Sequence, residues 1–84
     1  MNEMDAWTDA VRAELGLPDD AQVRLVLGMT KEVAHNVLRA GAPVTAYLMG
    51  LAVGRGADPE DVARRITALV GTYGPGAATE VRRD

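Results

Sequence analysis

The groups best suited to chemistry lie in one short run: Lys31, His35 and Arg39, spaced four apart around the chain's only histidine. Arginine offers a planar fork that fits phosphate or carboxylate, lysine a point charge, and histidine a group that titrates near neutral pH. On a helix turning about 100° per residue, the three drift by about 40° per step and form a continuous basic stripe, which Arg24 extends. The centre of that stripe falls about 130–140° from the apolar face of Val33, Ala34 and Val37, so His35 belongs on the flank and not in the core. Two readings stay open. In one, the stripe takes an anion: a nucleotide, a pterin phosphate or an acidic patch on a partner. In the other it is a solvated face, with Glu32 beside Lys31 and acids of another helix pairing His35 or Arg39. His35 also suits a structural use, capping a neighbouring helix end.

Other chemistry is poorly supplied. One histidine cannot build a metal site by itself, and no spacing of Asp or Glu around it has a ligand pattern. The run "GRGADPED" lacks both the lysine-threonine pair of a phosphate loop and the alternating acids of a calcium loop, so Asp58 reads as a helix cap. Glu14 and Glu60 are carboxylates with no partner placed for proton transfer. There is no cysteine, which removes disulfides, thiolate zinc ligands and thiol catalysis. There is no serine either, which removes serine nucleophiles and the phosphopantetheine attachment of acyl carriers, themselves small acidic helical domains. A net charge of -3 disfavours non-specific binding to nucleic acid. No enzyme, cofactor or metal is expected.

These residues must be held by helices, because Gly and Pro punctuation cuts the chain into four helical segments. The first runs from about Asp5 to Leu15, with Met4, Trp7, Val11 and Leu15 as its apolar stripe. Gly16 stands where a left-handed C-terminal residue belongs, and Pro18 stops the helix. The second spans about Asp20 to Leu38, capped by Asp19 or Asp20. Its inner stripe is Val23, Val26, Leu27, Thr30, Val33, Ala34 and Val37; Gly28 and Thr30 leave a break in mid-run open. "VRLVL", Val23 to Leu27, resembles a strand but has no pairing partner elsewhere. The third runs from Pro43 to Gly54 and is apolar on two sides. Val44, Tyr47, Leu48 and Leu51 make one face; Ala46, Met49 and Val53 make the other. Ala46, Gly50 and Gly54 recur every four residues, which lets another backbone approach; packing within the domain is the simpler use. The interface candidates are therefore Ala46, Met49, Gly50 and Val53. The fourth helix begins at Asp58, with Pro59 in its first turn and Glu60 and Asp61 at the positive end of its dipole. Val62, Ile66, Leu69 and Tyr73 are its stripe, and Glu60 pairs with Arg64 across one turn. Gly74 and Pro75 end it.

The expected architecture is all-α: a compact four-helix bundle over 1–74, followed by a disordered, flexible tail over 75–84. Trp7, Tyr47 and Tyr73 are assigned to the core or its rim. The acidic N-terminus "MNEMDAWTDA" has no apolar signal region. The longest uncharged stretch, the 15 residues Ala40 to Gly54, is shorter than a membrane span. A cytoplasmic protein is expected, with no membrane and no nucleic acid among its partners.

Several landmarks occur together: Trp7 before "LGL" (Leu15 to Leu17), "VAHNV" (Val33 to Val37), Arg39, "AP" (Ala42-Pro43), "GLAVG" (Gly50 to Gly54) and "DPED" (Asp58 to Asp61). The set resembles a small uncharacterised helical domain of high-GC bacteria, over about Met4 to Tyr73. That domain occurs alone or fused behind molybdenum cofactor guanylyltransferases. In that family Arg39 is more often followed by proline, and an acid more often stands where this chain has Gly28. The resemblance carries no established activity and implies a context, an accessory role beside molybdenum cofactor (molybdopterin guanine dinucleotide) biosynthesis. With the second apolar face of the third helix, it leads to the expected function, a non-catalytic protein-interaction module whose partner is a second copy of the chain or, from the family context, such a guanylyltransferase. The alternative is a protein that binds a small anionic ligand on Lys31, His35 and Arg39.

Overall fold

A computed structural model of the chain describes residues 2–19 and 22–83, with side chains to Tyr73. The described residues hold four helices and no strand: α1 (Glu3–Leu15), α2 (Val23–Asn36), α3 (Gly41–Gly54) and α4 (Pro59–Arg83). The all-α architecture expected from the punctuation is the one observed, and "VRLVL" is the first turn and a half of α2.

The helix ends are made by local chemistry. Asn2 caps α1, its side-chain oxygen accepting from the Asp5 N–H at 2.8 Å. Gly16 closes α1 in the left-handed region at φ 68°. There the Gly16 N–H donates to the Ala13 carbonyl at 3.2 Å and the Leu17 N–H to the Arg12 carbonyl at 3.0 Å. α4 begins as the sequence predicts, the Asp58 carboxylate accepting from the Asp61 N–H at 2.9 Å. Arg64, however, pairs with Asp61 at 2.7 Å, not with Glu60. Asp61 also draws Arg65 to 3.8 Å, so one carboxylate gathers both cations from the turn above it.

Three boundaries differ from the sequence reading. α2 starts after Gln22 with no side-chain cap; Asp19 lies instead 3.8 Å from Arg12 Nε, and Asp20 is outside the described residues. α2 also stops at Asn36, because the Val37 and Leu38 N–H groups both turn back to the Val33 carbonyl, at 2.9 and 3.0 Å. α4 does not stop at Gly74 and Pro75; its helical backbone continues to Arg83. Ala77, Ala78, Glu80 and the terminal arginines are good helix formers beyond that Gly-Pro pair. The expected mobility of 75–84 lies outside the described side chains. Between its ends α2 is unbroken, and the Thr30 hydroxyl is satisfied within it, donating to the Val26 carbonyl at 2.8 Å.

The core is formed by α2, α3 and α4 alone. Met29 and Val33 from α2, Met49 from α3, and Val62, Ala63 and Val70 from α4 are buried. Leu25, Val26, Val37, Ala52, Val53 and Ile66 pack around them. The inner stripe of α2 is thus rotated toward Met29, leaving Leu27 exposed. Gly41 lets α3 approach α2: a Cβ there would stand 3.2 Å from Val33 Cγ1. α1 takes no part. Among the described residues none of its Cα atoms comes within 8 Å of another helix, and none of its residues is buried.

Candidate functional site

The basic stripe survives only in part. Lys31 and His35 lie on α2 and both are exposed, His35 in the last turn and away from the core as its position on the helical wheel requires. Arg39 is not on the helix. The convergence of N–H groups on Val33 ends α2 first, and Arg39 falls in the turn before α3. Among the described residues, none of the three cations has a carboxylate within 4.0 Å. Glu32 is engaged elsewhere, its Oε1 accepting from Asn36 Nδ2 at 3.2 Å. The anticipated pairing of His35 or Arg39 with acids of another helix is not present there.

α3 resolves its two apolar faces. The face of Ala46, Met49 and Val53 turns inward, with Met49 only 3% exposed. Met49 therefore belongs to the core and is not available as an interface residue; Ala46 and Val53 are half-buried and Gly50 is exposed. The opposite face, Val44, Tyr47, Leu48 and Leu51, stands in solvent. The row of small residues does not serve close packing within the domain. A Cβ added at Gly50 or Gly54 would meet nothing within 4 Å.

That open row faces α1 across a cleft of about 740 Å³. Trp7, Val11 and Leu17 line it from the α1 side and Gly50, Val53 and Gly54 from α3, with Pro59 of α4 also in its lining. Arg12 also lines it, with Nη1 donating to the Leu17 carbonyl at 3.3 Å. Arg12 Nε lies 3.9 Å from Asp9 and 3.8 Å from Asp19; it is buried and without a hydrogen-bond partner among the described residues. Trp7 and Tyr47, expected in the core or at its rim, are each 67% exposed. The reason is the same for both: no other helix reaches the stripe of α1 or the outer face of α3. Tyr73 is half-buried. Met4, Leu15 and Leu17 are also exposed. The stripe of α1 is legible in the sequence, but the sequence does not say that nothing covers it.

Lys31, His35 and Arg39 do not line this cleft. Among the described residues no three His, Asp or Glu side chains gather where they could hold a metal. No helix among them is long and apolar enough to cross a membrane.

Fold and surface define a small all-α domain with uncovered apolar faces. The chain belongs to the family described as a domain of unknown function, DUF6457, which matches residues 1–80. Nothing matches among the curated proteins or the solved structures compared with it.

Proposed function

We propose that the chain is a non-catalytic protein-interaction module, accessory in the cytoplasm to molybdenum cofactor biosynthesis, whose partner is a molybdenum cofactor guanylyltransferase. It docks through the cleft between α1 and α3, with Trp7 and Leu17 on one side and Gly50 and Val53 on the other. One observation carries this reading: α1 is 13 residues long and has no buried residue. An isolated helix of about 12–15 residues is marginal in water, so α1 needs cover from outside the three-helix core. Aromatic anchors in apolar clefts supply most of the energy of protein interfaces, and Trp7 is the only tryptophan. The choice of partner rests on the resemblance to a domain found fused behind that enzyme in high-GC bacteria.

Light scattering after size exclusion tests it, using the chain with the guanylyltransferase of the same genome. A complex is expected, and Trp7→Ala should weaken it by about thirtyfold or more. A chain that elutes at its own mass beside the enzyme rejects the assignment.

A second reading, a small anionic-ligand binder, is favoured by the exposed Lys31, His35 and Arg39, which have no carboxylate within 4.0 Å among the described residues. Guanine nucleotides or pterin phosphates should then shift the amide resonances around His35. Unmoved signals at millimolar ligand reject those ligands.

A further inference from the structure

We propose that α3 is also a self-association helix: two copies pair antiparallel through Val44, Tyr47, Leu48 and Leu51, about a two-fold axis between Tyr47 and Leu48. All four side chains are exposed, at 58, 67, 55 and 40%. At about 100° per residue they fall within one arc of about 100°, opposite the arc that Met49 and Val53 bury.

The chemistry of this face selects its occupant. From Ala40 to Gly54 there is no charged residue. A charged surface laid on it would lose hydration and gain no pairing, so the complement must itself be uncharged. α1, α2 and α4 all carry charges; α3 is the one uncharged helix of the chain. A second copy therefore supplies the matching surface.

The spacing supplies the geometry. Positions 44 and 51, and positions 47 and 48, are equidistant from the midpoint of the four. A two-fold axis there sets Val44 of one copy opposite Leu51 of the other, and Tyr47 opposite Leu48, apolar on apolar throughout. Antiparallel pairing also opposes the two helix dipoles. The nearest charges in sequence are Arg39 and Arg55; the two-fold axis brings Arg39 of one copy toward Arg55 of the other at each end of the seam, where the long side chains diverge into water and added salt should favour association. From Val44 to Leu51 the seam is about 10 Å long and about one helix diameter wide, a small contact that suits only a weak, reversible dimer.

This pairing uses a face of α3 other than the cleft wall, so it stands or falls apart from the docking assignment. Sedimentation of the full chain at rising concentration should show a reversible shift from 8.9 kDa to twice that mass. Leu48→Glu should weaken association more than tenfold while leaving the helical signal and melting temperature in place; Trp7→Ala should leave it unchanged. The chain has no cysteine, so engineered thiols report cleanly. Val44→Cys chains mixed with Leu51→Cys chains should cross-link to each other in preference to themselves. A wild-type chain that stays at 8.9 kDa up to millimolar concentration overturns the proposal. So does a Leu48→Glu chain that dimerises as well as wild type, or a Val44→Cys chain that links chiefly to itself.

Discussion

α1 and α3 are nearly equal in length, 13 and 14 residues, and both present large apolar side chains to solvent, yet they are held in different ways. α3 is apolar on two sides. It spends one side on the core, through Met49, Ala52 and Val53, and still has a second to offer. α1 is apolar on one side only and buries none of it fully: Met4, Trp7 and Leu15 are exposed and Val11 is half-buried. What defines α1 is its ends, the Asn2 cap and the Gly16 turn. Caps are worth about 1 kcal/mol each, enough to set where a helix begins and stops but not enough to hold 13 residues helical in water. An outer face on an anchored helix is a rigid platform. An amphipathic helix without an anchor is a segment whose order depends on what it meets.

Substitutions that separate packing from exposure sharpen the contrast. Met49→Ala removes a core side chain and should lower the unfolding free energy by about 2–5 kcal/mol in a urea titration. Asp58→Ala removes the cap of α4 and should lower it by about 1 kcal/mol, read as a drop in melting temperature. Gly50→Ala goes the other way. Its Cβ meets nothing within 4 Å, so it should raise stability by about 0.5–1 kcal/mol through helix propensity. The same methyl narrows the cleft, so affinity for the proposed guanylyltransferase partner should fall even as the chain becomes more stable. Trp7→Ala should change stability by less than about 0.5 kcal/mol, because the side chain is not packed. Hydrogen exchange gives the companion measurement: α1 amides should exchange far faster than those around Met29 and Val33 and gain protection when the partner binds. If α1 is protected as strongly as α2 in the free chain, the contrast between the two helices fails.

The helical class was legible, as were the most local features: Gly16 as a left-handed end and Asp58 as a cap. The site was legible only in outline. His35 was placed off the core by its position on the wheel, and the structure agrees. Arg39 was misplaced, because the end of α2 is set by backbone N–H groups converging on Val33, and neither Gly nor Pro marks that point. Leu27 was read as inward and Met29 was not read at all. A stripe of seven positions, six of them apolar, leaves its centre undecided by a residue or two until a neighbouring helix is in place.

The sequence by itself determined where helices begin and end wherever the cause lies within a few residues, because a cap or a left-handed glycine acts through its immediate neighbours. Only the tertiary structure decided which side of α3 is the inside. Both sides are apolar and hydrophobicity has no sign to choose between them; the choice falls to the packing of α2, α3 and α4 together, which buries Met49 beside Met29 and Val33. The same holds for α1, whose stripe has the period of a buried face. Whether it is buried depends on three other helices, and these close their core without it.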